Sequence, residues 1–331
     1  MKVLILGSEG FVGQNLINGL KEKHELFTAD VLDSSTHTNY TKFDITNLDE
    51  TSSLIKNVDV VVNLVTHTLT QSLDDVLSNA NTNIIGLLNV LEACRKNKIK
   101  KIIFTSASSI IGIPNTFSVD EKHPVMPKTA YGITKMTSEH YHRLYKEIYD
   151  LNYVIFRFFN IYGRYQTNGL IPSIHKKLIS NESITVFGEG KQVRDFVFIR
   201  DVIPFFDNVI TSSKFDNQTY NLGTGNGTTI MEVIEKLSKL VSVKPKIDFQ
   251  PERPGEIGNF VANTDFLLSK FGFKPETHIE DGLKNTISWS LKFELIKVQA
   301  WVGKNLFWSE ILKYKNKMYN WKILYFILNK N

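Results

Sequence analysis

Met1-Lys2-Val3-Leu4-Ile5-Leu6-Gly7-Ser8-Glu9-Gly10-Phe11-Val12-Gly13-Gln14-Asn15-Leu16 opens the chain, and this stretch decides the fold. Its start is a short apolar run rich in branched side chains, the pattern of a strand covered on both faces. The spacing Gly7-x-x-Gly10-x-x-Gly13 follows, and from Gln14 the apolar residues recur with a helical period. A buried strand, a tight turn and a helix N-terminus together make a site for a pyrophosphate. Free backbone N–H groups and the positive end of the helix dipole point at the anion.

The next apolar stretch, Leu26-Phe27-Thr28-Ala29, ends on Asp30, 20 residues past Gly10. A carboxylate at that distance accepts hydrogen bonds from a ribose 2′-hydroxyl and repels a 2′-phosphate. No Arg or Lys follows it within the next several residues, so the expected cofactor is NAD rather than NADP.

Working outward, further apolar strands read at residues 58–64, 101–105 and 153–158, with helical patterns between them. This alternation predicts an α/β fold, a doubly wound parallel sheet of the Rossmann type whose ligands bind at the carboxyl ends of the strands. From about residue 166 the pattern loosens into loops and short helices, with a return strand near Phe196-Val197-Phe198-Ile199. The expected organisation is a nucleotide-binding domain over 1–165 with a return segment near 194–224, a smaller α/β substrate domain over 166–290, and a helical tail over 291–331.

Composition narrows the class. With 331 residues, 42% of them hydrophobic, the chain can bury a sizeable core and exceeds one small domain. The single cysteine, Cys94, excludes an internal disulfide, suits a reducing compartment, and sits in a helical apolar pattern as a core thiol. No basic-then-apolar leader precedes the first strand and no apolar run reaches the length of a membrane span, which gives a cytoplasmic expectation. The eight histidines show no metal-ligand spacing, and His140 and His142 are expected to face solvent. The formal charge is +5, but residues 291–331 carry eight lysines against two glutamates, so the body is near neutral and is not a nucleic-acid binder.

A catalytic pair stands in Ala130-Tyr131-Gly132-Ile133-Thr134-Lys135. Four residues apart on a helix, Tyr131 and Lys135 share a face, so an ammonium can lower the pKa of a phenol and make it a proton acceptor near neutral pH. The spacing is common by chance, and its weight comes from the context.

That context resembles a known family, the extended short-chain dehydrogenase/reductases, and within them the nucleotide-sugar epimerase/dehydratase group that includes UDP-glucose 4-epimerase. The resemblance runs from residue 1 to about 290. It rests on the glycine turn; on Thr82-Asn83-x-x-Gly86-x-x-Asn89-Val90-Leu91-Glu92-Ala93-Cys94; on Tyr131-x-x-x-Lys135; on Arg157-Phe158-Phe159-Asn160-x-Tyr162-Gly163; on Gly188-x-Gly190-x-Gln192-x-Arg194-Asp195-Phe196; on Tyr220-Asn221-x-Gly223-x-Gly225; and on Arg253-Pro254-Gly255-Glu256.

The resemblance implies roles. Lys135 would hold the nicotinamide ribose and depress Tyr131, and Tyr131 would take the proton of a sugar hydroxyl while its carbon gives a hydride to the nicotinamide. Phe11 and Val12 join the three glycines and Asp30 in the cofactor set. Asp44 and Ile45 flank the adenine, and Leu64, Val65, Thr66, Asn83 and Phe158 complete the lining. Asn160, Arg194 and Arg253 match the ligands of the sugar nucleotide's diphosphate, with Glu256 beside them, and Val186-Phe187 match the wall against its base. Two guanidiniums suit a diphosphate because the planar fork fits phosphate oxygens and stays charged.

One departure bears on the reaction. The group places a Ser or Thr three residues before the Val of a Val-Tyr-Gly triplet to relay the proton. Here Phe104-Thr105-Ser106-Ala107-Ser108-Ser109-Ile110-Ile111-Gly112 puts Ala107 there. Either the loop is shifted so that Ser106 or Ser108 serves, or Tyr131 works with water, or the partner is lost. The Asp-Glu pair of the dehydratase branch is replaced by Ser108 and Ser109, which argues against loss of water.

The leading expectation is therefore NAD-dependent 4-epimerisation of a UDP-hexose or UDP-N-acetylhexosamine. A 4-keto nucleotide-sugar reductase or keto-sugar epimerase is the alternative, and a non-catalytic NAD-binding scaffold the third reading. The resemblance also implies a homodimer built on the helix of Tyr131 and Lys135. In the tail, Phe307, Ile311, Tyr314, Met318, Trp321, Tyr325 and Leu328 form one apolar stripe flanked by lysines. A helix packed on the enzyme body or across a dimer interface is the first reading. A helix lying in an anionic membrane surface at the inner face, beside glycan assembly, is the second.

Overall fold

The computed structural model describes residues 1–252 and 259–290. In chain order the first part forms β1 (Lys2–Leu6), α1 (Phe11–Leu20), β2 (Glu25–Asp30), β3 (Tyr40–Lys42), α2 (Leu48–Leu54), β4 (Val60–Asn63), α3 (Leu69–Asp74), α4 (Val76–Ala80), α5 (Gly86–Lys96), β5 (Lys101–Ala107), β6 (Ser118–Val119), α6 (Ala130–Tyr149) and β7 (Asn152–Phe158). The rest forms β8 (Asn160–Tyr162), α7 (Leu170–Ile179), β9 (Ser183–Phe187), β10 (Val193–Phe198), α8 (Ile199–Thr211), β11 (Gln218–Leu222), β12 (Gly227–Thr229), α9 (Ile230–Val241), β13 (Lys246–Gln250), β14 (Val261–Ala262) and α10 (Asp265–Phe271), followed by helix over 279–290.

Seven strands make one parallel sheet in the order β11-β7-β5-β4-β1-β2-β3. The order reverses beside β1, the switch point at which open α/β sheets bind ligands. Register is set by the buried runs: Leu4 lies opposite Phe27 on one side and Val61 on the other. Val60, Val61 and Val62 are each almost wholly buried because helices cover both faces. Each such side chain contributes about 1.5–3 kcal/mol of burial. Lys101, at the start of β5, is buried too, and its ammonium is satisfied by the carbonyls of Val209 and Ser212 and by Asp216 at 2.5 Å.

The chain divides into two compact units. Among described residues the first holds 1–161, 192–228 and 259–277, and the second 162–191, 229–252 and 278–290. The second has its own parallel pair, with Ile184 of β9 opposite Ile247 of β13. Its α9 starts on a reciprocal cap, in which the Glu232 N–H donates to Thr229 Oγ1 at 3.1 Å and the Thr229 N–H donates to Glu232 Oε2 at 2.7 Å.

The strand expected near 196–199 forms as β10, but it pairs with β8 and β12 in a three-stranded sheet. β11, which the sequence pattern did not mark as a strand, takes the edge of the main sheet, Tyr220 lying opposite Phe156. His142 is buried rather than exposed: its ring stacks on Phe104 at 4.7 Å and its Nδ1 lies 2.7 Å from the Ser138 carbonyl. A histidine one helical turn past Ser138 falls on the core face of α6, which its sequence neighbours do not reveal. The tail residues 291–331 lie outside the described residues.

Candidate active site

The glycine turn is built as its spacing requires. Gly7 takes φ +80°, a conformation L side chains rarely adopt, and the N–H groups of Gly7 and Ser8 both donate to the Ala29 carbonyl, at 2.9 and 3.1 Å. A Cβ on Gly13 would come within 2.4 Å of the Gly7 carbonyl oxygen, so only glycine lets α1 seat on the turn. No side chain caps the N-terminus of α1, which leaves the N–H groups at Phe11, Val12 and Gly13 for an anion. Asp30 stands at the end of β2, its Oδ2 accepting the Glu9 N–H at 2.9 Å and its Oδ1 the Val31 N–H at 2.7 Å. This cradle fits a dinucleotide pyrophosphate and ribose.

The neighbouring loops are pinned by backbone contacts. The Asp44 N–H donates to Glu50 Oε2 at 2.8 Å, and Asn89 donates to the Ile45 carbonyl at 3.0 Å. The Gly7 Cβ position lies 3.1 Å from Leu64 C and Val65 N, which brings that loop against the turn. Asn83, expected to line the cofactor, is hydrogen-bonded to its protein neighbours. It sits in a π-helical segment, Asn81–Ile85, and its Oδ1 accepts the His67 N–H at 2.8 Å and Thr66 Oγ1 at 3.3 Å. Its Nδ2 donates to Thr134 Oγ1 at 3.1 Å, and Thr134 donates in turn to Asn79. This buried network ties the Thr66 loop to α6. Phe158 lies at the end of β7, edge-on to Phe206.

Thr129 caps α6 by accepting the Gly132 N–H at 3.0 Å, and Tyr131 and Lys135 follow on its first turns. Lys135 is 2% exposed; its Nζ donates to the Thr105 carbonyl at 2.7 Å and lies 4.6 Å from the Phe104 ring. Burial pushes its pKa down to about 7, with the Glu139 charge pulling the other way. Burial pushes the Tyr131 phenol up to about 12, and the neighbouring Thr66 hydroxyl acts in the opposite direction. Behind the pair, Arg157 grips Glu139 with two hydrogen bonds of 2.9 and 2.8 Å, and Arg143 adds a third at 2.8 Å. Burial acts to raise the Glu139 pKa, but Arg157 and Arg143 hold it below the usual carboxylate range. Neither Glu139 nor Arg157 was a candidate from sequence, although Glu139 lies one turn past Lys135 on the same face.

The serines divide. Ser106, on β5 opposite Arg157, is buried beside the Glu139 carboxylate. Ser108 begins a short 3-10 turn and is half-buried. Ser109, which was not a candidate for the relay, is 7% exposed, and its hydroxyl, like that of Ser106, has no hydrogen-bond partner among the described residues. Its carbonyl oxygen lies 2.8 Å from the Cβ position of Gly132, the residue after Tyr131.

Of the expected diphosphate ligands, Asn160 and Arg194 lie on β8 and β10 of the same small sheet; Asn160 donates to the Asp195 carbonyl at 3.2 Å and Arg194 to that of Val193 at 2.8 Å. Asp195 is wholly buried and accepts from Thr224 N–H and Oγ1, Gly225 N–H and Ala262 N–H at 2.7–3.1 Å. It is the knot that fastens the Gly223–Gly225 turn. Val186, buried, and Phe187, half-buried, end β9 of the second unit. Arg253 and Glu256 lie outside the described residues. Among the described residues no group of His, Cys, Asp or Glu is placed to hold a metal ion.

Comparison with known proteins agrees with this construction. Residues 3–223 match the model of the NAD dependent epimerase/dehydratase family. A UDP-glucose 4-epimerase of Mycolicibacterium smegmatis is 26% identical over 306 residues, covering 87% of this chain and 97% of that protein. The solved UDP-N-acetylglucosamine 4-epimerase of Methanobrevibacter ruminantium, in complex with UDP-N-acetylmuramic acid, superposes with TM-score 0.81 at 27% identity over 88% of this chain and 98% of that one. The UDP-glucuronic acid 4-epimerase of Bacillus cereus, in complex with UDP-glucuronic acid and NAD, gives 0.82 at 25% identity over 88% and 100%. The chain belongs to the NAD-dependent epimerase/dehydratase family.

Proposed function

We propose that the protein is an NAD-dependent 4-epimerase of a UDP-hexose or UDP-N-acetylhexosamine. The observation that carries it is Tyr131 on the first turn of α6, one helical turn before buried Lys135, in the unit that bears the glycine turn. Bound along that turn, NAD supplies an acceptor for the hydrogen of carbon 4 that can return it to either face of the 4-keto sugar. Tyr131 Oη takes the proton of the 4-hydroxyl and gives it back to the same oxygen, so no proton is gained or lost over the cycle. Thr66 and Lys135 stabilise the phenolate, by hydrogen bond and by charge. Asn160 and Arg194 are the proposed diphosphate ligands together with Arg253. Val186 and Phe187 keep their assignment to the base, and Gly7, Gly10, Gly13, Asp30, Asp44, Ile45, Leu64 and Val65 theirs to the cofactor.

Incubation with UDP-glucose, UDP-N-acetylglucosamine and UDP-glucuronic acid, followed by NMR of the sugar, tests the reading. A C4 epimer of one of them is expected, with NAD released on denaturing the purified protein. Consumption of NADH by a 4-keto nucleotide sugar, with no epimer from any substrate, would replace it with the reductase. Tyr131→Phe is expected to lower turnover by at least about a hundredfold and leave NAD bound.

A homodimer is part of this proposal. Ile133, Leu144 and Ile148 on α6 and Val76 and Leu77 on α4 are exposed apolar side chains in one unit, Leu77 at 83%. Light scattering should give twice the chain mass, and Leu144→Glu with Ile148→Glu should give the monomer. For the basic aromatic stripe of 291–331, outside the described residues, packing on the enzyme body or across a dimer interface stays the first reading and contact with anionic membrane the second; among the described residues no helix is long and apolar enough to cross one. Equal sedimentation with anionic liposomes of the full chain and of a truncation at residue 290 would remove the membrane reading.

A further inference from the structure

The end of β2 carries two carboxylates, not the single one that set the cofactor expectation. The Glu9 backbone N–H donates to Asp30 Oδ2 at 2.9 Å, which fixes residue 9 of the glycine turn against the side chain expected to receive the ribose hydroxyls. The Glu9 carboxylate is held there and is only 14% exposed. Its Oε1 accepts Ser35 Oγ at 2.7 Å and Ser8 Oγ at 3.4 Å, and its Oε2 accepts Gln14 Nε2 at 2.9 Å. His37 Nε2 stands 3.7 Å from Oε1, beyond hydrogen-bond distance but within ion-pair distance when its ring is protonated. Every hydrogen-bond donor to this carboxylate is a neutral group. Serines and an amide fix its position and satisfy its lone pairs without cancelling its charge.

We infer that Glu9 is a second specificity-determining carboxylate of the cofactor site, acting with Asp30 to reject the 2′-phosphate of NADP. A dianionic phosphate brought to the end of β2 meets two fixed negative charges, in a partly buried place where solvent screens them weakly. A free 2′-hydroxyl meets the same oxygens as acceptors. Glu9 also ties the segment Ser35 to His37 to the glycine turn, since the Ser35 hydroxyl that donates to Glu9 accepts the His37 N–H at 3.0 Å. Asp30 alone therefore does not set the cofactor choice, and its removal leaves a charge of the same sign behind.

The inference rests on the assignment of the turn to a dinucleotide, and calorimetric titration of cofactor-stripped full-length protein with NAD and with NADP separates the two. Wild type is expected to favour NAD by about a hundredfold or more. Glu9→Gln keeps the size of the side chain and one of its two acceptor oxygens but removes its charge. It should hold NAD affinity within about threefold and improve NADP about tenfold. Asp30→Ser should improve NADP only in part, and the double variant should bring the two nucleotides within about tenfold of each other. Ser35→Ala releases the carboxylate but keeps the charge, so its selectivity should stay near that of wild type. An unchanged NAD-to-NADP ratio in Glu9→Gln overturns the inference, as does an Asp30→Ser as unselective as the double variant. Equal relaxation by Ser35→Ala would also overturn it, because the effect would then be one of shape. Wild type that binds neither nucleotide would remove the dinucleotide reading itself.

Discussion

The Lys135 ammonium lies 5.7 Å from the centre of the Tyr131 ring, while its hydrogen bond goes to the carbonyl of Thr105 at 2.7 Å. The two side chains share a face of α6, as their spacing requires, but the groups that adjust each are supplied by other elements. Glu139 with Arg157 backs the lysine, and Thr66 meets the tyrosine.

Thr66 is therefore expected to set the pH at which Tyr131 works. Its hydroxyl stabilises the phenolate, so Thr66→Val raises the Tyr131 pKa further. The acid limb of the kcat profile should move to higher pH, with kcat at pH 7 down about tenfold. An unmoved limb would separate Thr66 from the proton transfer.

Lys135 should leave a mark on stability. Its folded pKa of about 7 lies below the unfolded value, so between these the unfolded chain binds the extra proton and stability rises with pH; below 7 the cost of the buried charge is present in full. Urea unfolding of wild type should gain about 2 kcal/mol relative to Lys135→Met between pH 7 and pH 9. Parallel curves would contradict the buried, depressed ammonium.

Ser109 is expected to matter more than Ser106. The Ser106 and Ser109 hydroxyls are both buried without a hydrogen-bond partner among the described residues, but that of Ser106 lies beside the Glu139 carboxylate, which can accept from it. Ser109→Ala should lower kcat about 10–100-fold with KM within about threefold, and Ser106→Ala should change kcat less than about threefold. The reverse ranking would return the relay to Ser106.

Buried His142 should weaken the fold in acid. Burial pushes its pKa down to about 4, so the neutral ring favours folding above the ordinary value, and stability is lost as pH falls from about 6.5 to 4. His142→Phe keeps the stack on Phe104 and should lose about 2 kcal/mol less than wild type over that range. Equal acid losses would show that His142 takes up its proton freely.

The amino-acid sequence by itself determined five central strands of the main sheet, β7-β5-β4-β1-β2, the glycine turn and the helix of Tyr131 and Lys135. Each is local: a branched apolar run is a buried strand wherever it sits, Gly7 and Gly13 are required by backbone crowding within one turn, and four residues bring two side chains to one face. The tertiary structure alone decided what surrounds them. Tyr220, on β11, joins the sheet edge because a neighbour over sixty residues away offers free backbone groups, not because of its own pattern. Asn83, Glu139, Arg157 and Asp195 act through partners up to 67 residues distant, Asp195 with Ala262, and local periodicity carries no information about such pairing. The charge that Glu9 adds to Asp30 is of this kind too. The two are 21 residues apart in the chain and 2.9 Å apart at the hydrogen bond, and only the folded turn makes them one electrostatic feature.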